Sequence, residues 1–160
     1  MREYIVSVSA LVLLFAPSVR AQGVPAGWQT IKDPKGACQM AVPPDWSPYG
    51  DTHAVAVLHD VSTAIAVVTS QPEQEFKPLP EAVQKVMGIP KDKMFENNAK
   101  RVFYQDRTSQ NQGDPNAFSV AVPGKTGTCS GHLTFIPTLS LDVARKIALS
   151  LGPVEPTQSN

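Results

Sequence analysis

The sequence predicts an α+β domain in which an antiparallel sheet, covered on both faces, is accompanied by two amphipathic helices. AVAVL (54–58) and AIAVV (64–68) are apolar at every position instead of every second one, which suits strands buried on both sides. AFSVAV (117–122) and CSGHLTFI (129–136) alternate with the two-residue period of strands. PLPEAVQKVMG (78–88) and SLDVARKIALSLG (140–152) repeat their apolar residues at helical spacing.

The elements follow in order. Trp28 to Trp46 holds two short strands around the turn Asp33-Pro34-Lys35-Gly36. The second, 37–42, places Cys38, Met40 and Val42 on one face and is stopped by Pro43-Pro44. The runs 54–58 and 64–68 are joined by HDVST. A single buried helix competes for this stretch, but the polar break and the valines favour a hairpin. Residues 78–88 form a helix of two to three turns, with Pro80 near its start and Gly88 at its end. From 89 to 98 an irregular segment and a short helix are both open readings. RVFYQ (101–105) is a strand and 106–116 a polar loop.

In the late hairpin Phe118, Val120 and Val122 face one way. Cys129, Gly131, Leu133 and Phe135 share one face of the next strand, and Ser130, His132, Thr134 and Ile136 the other. PGKTGT between them is rich in turn formers. Ser140 caps the last helix, whose stripe is Val143, Ala144, Ile147, Ala148 and Leu151; Gly152 supplies its C′ position and Pro153 stops it.

The N-terminus reads as a secretory signal peptide, 1–21. Tyr4 to Ala16 is an apolar run shorter than the ~20 residues of a bilayer span, and Val19 and Ala21 suit cleavage after Ala21. An uncleaved anchor is the competing reading. Cleavage implies a secreted or periplasmic protein without stable membrane insertion after processing. The mature domain covers 22–152, followed by a disordered tail, 153–160. Processing removes Arg2, Arg20 and Glu3 from a chain of 14 basic and 14 acidic residues, leaving 12 and 13. A charge so near zero gives no nucleic-acid footprint and no polybasic lipid surface. In an oxidising compartment the two cysteines, Cys38 and Cys129, are expected to form a disulfide.

Few residues suggest chemistry. Gly124, Lys125 and Thr126 match the end of a phosphate-binding Walker loop, but its first glycine would fall on Ser119 and strand follows, so a turn is expected. Cys129 and His132, three apart in a strand, face opposite ways and cannot share a metal ion. His53 and His59 lie about 20 Å apart along a continuous strand. His59 beside Asp60 is a minimal base-and-acid pair with no nucleophile motif around it. Asp33, Asp45, Asp51 and Asp60 read as turn residues. No cofactor is expected. Trp28, Trp46 and His59 are the candidate surface for a ligand or partner, although a core or rim position suits the tryptophans better than ligand stacking.

The element order, together with Asp33, Gly36, strand 37–42, Pro43, Pro44, Trp46 and the terminal helix 140–151, resembles the PsbP-like family of small exported proteins. That resemblance implies an αβα sandwich, an antiparallel sheet with helices packed on both faces. It implies no catalytic residue, and members that act as binding or assembly accessories. The leading expectation is therefore an exported, disulfide-stapled, non-enzymatic binding or accessory protein for an unknown envelope or extracellular partner. One alternative is a carrier of a small apolar ligand, held between sheet and helices near Trp28, Trp46 and Met87. Another is an envelope hydrolase using His59 and Asp60.

Overall fold

A computed structural model of the chain describes residues 24–49, 53–58, 61–107 and 115–155. The expected signal peptide, Asp51, His59, Asp60 and the last five residues of the tail lie outside the described residues.

Two antiparallel sheets are packed face to face. The smaller has the order β1-β2-β10, from β1 (Gln29–Lys32), β2 (Cys38–Val42) and β10 (Gly152–Pro153). The larger has seven strands in the order β3-β4-β5-β9-β8-β7-β6. They are β3 (Ser47–Tyr49), β4 (His53–Leu58), β5 (Val61–Gln71), β6 (Met94–Asn97), β7 (Val102–Arg107), β8 (Asn116–Pro123) and β9 (Thr128–Phe135). The helices are α1 (Glu81–Val86) and α2 (Leu141–Leu149), with a 3-10 turn at Lys91–Lys93.

This architecture overturns the expected αβα sandwich. The seven-stranded sheet has one fully covered face, and its cover is the small sheet together with α2, not a helical layer. Ala64, Ala66 and Val68 of β5, Leu133 and Phe135 of β9, and Phe118, Val120 and Val122 of β8 form that inner face. They pack against Cys38, Met40 and Val42 of β2 and Ala144, Ile147 and Ala148 of α2, all buried. The opposite face carries Ile65, which is 39% exposed, and the side chains of Thr69, His132 and Thr134. Unbroken apolar runs misled because Ile65 and Val67 are outward residues of a half-buried strand; isolated surface aliphatics are normal.

The other helix differs for the same reason. Only Glu81–Val86 is helical, none of its side chains is buried, and Val86 and Met87 are 88% and 50% exposed, so its apolar stripe has no sheet beneath it. α2 matches expectation: Ser140 Oγ accepts the Val143 N–H at 3.2 Å, and the stripe from Ala144 to Leu151 is buried. The open stretch 89–98 resolves into the 3-10 turn and β6. Gly152 is not a left-handed cap but starts β10, which pairs Gly152 with Gln39 and Pro153 with Cys38; the Val154 N–H then donates to the Ala37 carbonyl. The ordered chain thus continues past the expected boundary at 152.

Cys38 and Cys129 form the expected disulfide, which ties β2 of the small sheet to β9 of the large one. Beside it, the turn between β1 and β2 is held by Asp33, which is 4% exposed. Its carboxylate accepts the N–H groups of Lys35, Ala37 and Cys38 at 3.0, 2.7 and 2.7 Å and the Ser70 hydroxyl of β5 at 2.7 Å. Burial pushes the Asp33 pKa up, but the hydrogen bonds from Cys38, Ser70, Lys35 and Ala37 outweigh it, leaving the carboxyl below its ordinary value of 3.8. Because the folded value is the lower one, the stabilisation is fully present above the ordinary value and is lost as pH falls through the folded one. Asp33→Ala is expected to destabilise the fold by about 2–3 kcal/mol, since buried amide donors are left without an acceptor. Asp33→Asn should flatten the loss of stability between about pH 5 and about pH 2, measured as urea midpoints against pH. Equal slopes in the variant and the parent would contradict this role.

Candidate functional site

The outer face of the seven-stranded sheet is ordered in rows by strand register. One row runs Val67, His132, Ser119, Tyr104 across β5, β9, β8 and β7; the next runs Thr69, Ser130, Ala121, Val102. Above them lies residues 71–80, a strap that leaves the end of β5 and crosses towards β6. Thr128 Oγ1 donates to the Gln74 carbonyl at 2.7 Å. At the other end the Asn97 side chain takes the Leu79 N–H at 2.8 Å and donates to the Leu79 carbonyl at 2.9 Å. Gly127, with φ +72°, makes room for the start of the strap, because a Cβ there would stand 2.1 Å from the Gln71 carbonyl oxygen.

Strap and sheet together enclose a groove of about 300 Å³. Its lining includes Phe76 and Leu79 of the strap and, along one row of the sheet, the polar Thr69 and Ser130 followed by the apolar Ala121 and Val102. His132, Ser119 and Tyr104 close the side away from the strap. Burial pushes the Tyr104 hydroxyl above its ordinary pKa; a hydrogen bond with Ser119 acts against this and the Asp106 charge adds to it.

Asp106, Ser119, His132 and Thr134 form a side-chain network on this face. Ser119 Oγ donates to Asp106 at 2.6 Å and lies 3.1 Å from His132 Nδ1. Asp106 is 3.5 Å from the same nitrogen, and His132 Nε2 is 3.2 Å from Thr134 Oγ1. These are the residue types of a hydrolytic triad in a different arrangement. In a triad the carboxylate and the nucleophile use opposite ring nitrogens, whereas Ser119 and Asp106 share Nδ1 here and the serine proton is held by the carboxylate. The backbone of β8 and β9 at Ser119 and His132 is paired in the ladder, so it presents no oxyanion hole. The network orients these polar side chains at the groove edge.

The candidates from sequence fall elsewhere. Trp46 is buried in the inter-sheet core and Trp28 packs partly buried against it, with Gln29 Nε2 donating to the Pro43 and Trp46 carbonyls. They contribute packing, and Met87, exposed on the segment after α1, is not in their cluster. His59 lies outside the described residues. Cys129 is in the disulfide and His132 is exposed on the other face, so they do not meet. Residues 124–127 are a hairpin loop closed by the Gly124 N–H to Gly127 carbonyl bond at 2.8 Å, and strand follows it. The grouping of Ser119 with His132 was within reach of the sequence, because the two residues are equidistant from that loop.

No protein-family model matches the chain, and no curated protein does. A crystal structure from Bacteroides thetaiotaomicron is similar over 82% of this chain and 50% of its own, with 13% identity and a TM-score of 0.48. The chain spans about half the length of that protein, and a likeness this distant carries no conclusion about function.

Proposed function

We propose that the protein is an exported, non-enzymatic binding protein whose ligand lies in the groove between the strap, 71–80, and the outer face of the seven-stranded sheet. The observation that carries this reading is a groove whose lining combines apolar side chains (Phe76, Leu79, Val102, Ala121) with hydroxyls (Thr69, Ser130). Ligand sites combine apolar walls with a few convergent polar groups, and about 300 Å³ is at the small end of their range. A carrier role fits the same groove better than the region of Trp28 and Trp46, where the side chains already pack into a core. The engaged Asp106–Ser119–His132 network favours binding over hydrolysis.

Native mass spectrometry of the protein isolated gently from its host tests the proposal. The wild-type chain is expected to carry an additional small organic mass that Ala121→Trp, which fills the groove, loses. A bare wild-type chain, or the same adduct on the variant, would count against it.

A further inference from the structure

The groove has a charge pattern as well as an apolar one, and the pattern bears on the class of ligand. Among the described residues no aspartate or glutamate lines it; Lys77 is the one described lining group with a permanent positive charge, and Tyr104 and His132 are the other ionisable groups. Asp106 sits behind His132, in a separate depression that it shares with Ala117, His132 and Thr134. Glu75 pairs with Lys77 at 2.8 Å but does not line the groove, and the two side chains are 78% and 71% exposed. Water competes for such a pair, so it yields readily to an anion that also gains apolar contact.

Resting on the groove being the ligand site, we infer that its ligand is an amphipathic organic acid with a single carboxylate. The acid's apolar body lies between Phe76 and Leu79 above and Val102 and Ala121 below. Its carboxylate accepts from the hydroxyls of Thr69 and Ser130 and is neutralised by Lys77 at the mouth. Thr69, Ser130 and Lys77 suit this ligand: hydroxyls donate to an acceptor-only head, and a lysine favours an anion without specifying geometry. A cationic amphiphile would bring its charge beside Lys77, and among the described residues no carboxylate lines the groove to receive it.

Isothermal titration of the purified protein with decanoate, decanol and decylammonium, which share one alkyl chain, separates the head groups. Decanoate is expected to bind about tenfold more tightly than either other probe, the size of one charge-assisted contact. Lys77→Gln should bring decanoate to the affinity of decanol and leave decanol unchanged. Ala121→Trp and, as an independent block, Thr69→Trp should weaken all three, with far-UV circular dichroism verifying the fold. Decanol binding as well as decanoate, or decylammonium binding best, would overturn the acid while leaving the groove as the binding site. No binding to the wild-type chain, or equal binding by the wild-type chain and both tryptophan variants, would overturn the groove itself.

Discussion

Reduction of the Cys38–Cys129 bond is expected to destabilise the protein by about 4–5 kcal/mol on the chain-entropy account, for a sequence separation of 91. This approaches the whole stability of many domains, which is about 5–15 kcal/mol. The bond joins β2 to β9, elements far apart in the described chain, and both cysteines are buried, at 2% and 0% exposure. Its loss therefore frees a long loop in the unfolded chain while leaving most inter-sheet contacts available to form. Cys38→Ala/Cys129→Ala is the cleaner test, since serine would bury hydroxyls in an apolar layer. Urea unfolding of this variant should give a much lower midpoint than the oxidised parent, and the parent with reductant should approach the variant. A shift below about 1 kcal/mol would mean that the small sheet is held by its packing alone.

Phe118→Ala is expected to remove about 3–5 kcal/mol, the range for a buried aromatic that leaves a cavity. Phe118 is 1% exposed and stands at the centre of an aromatic group. Its ring is 6.0 Å from Phe95, 5.4 Å from Phe103 and 5.2 Å from Phe135, centroid to centroid. The group continues outward to Arg145 of α2, whose guanidinium lies 4.7 Å above the Phe95 ring. Truncation at 118 therefore loosens the contacts of β6, β7 and β9 together, and the three remaining rings cannot close the gap without leaving their strands. Phe118→Leu should recover much of the loss. An Ala variant within about 1 kcal/mol of the parent in the same denaturant assay would show that this layer is less tightly packed than the ring geometry implies.

The strands β1, β2, β4, β5 and β7, the hairpin pairing of 117–122 with 129–136, the capped helix at 140–151 and the disulfide were legible, because each depends on local periodicity, turn chemistry or cysteine count, whereas the short strands β3, β6 and β10 were not. The layers were not. Whether Ile65 and Val67 face a core or solvent depends on what lies opposite them, and β2 and α2 both settle on the face of Ala64, Ala66 and Val68. Local sequence cannot distinguish an outward aliphatic from one awaiting a cover. The stretch 78–88 shows the complementary error: its apolar residues have helical spacing, yet Asn97, an uncharged surface-type residue with no motif around it, fixes the chain at Leu79 and leaves the helix two residues later without a face to cover. The groove depends on that strap, on Thr128 and on Gly127, three separate tertiary details, so what could be anticipated was that Ser130 and His132, two of its polar lining residues, share one strand face.

The question to settle first is which side of the seven-stranded sheet receives a ligand. Methyl-resolved NMR of the protein, labelled at isoleucine, leucine and valine and titrated with decanoate and decanol in turn, answers it with either probe. Ligand-induced shifts are expected at Val67, Leu79 and Val102 around the groove, with Val42, Leu133 and Ile147 of the inter-sheet core unmoved. Shifts centred on Val42, Leu133 and Ile147 would place the ligand between the layers and contradict the outer-face site.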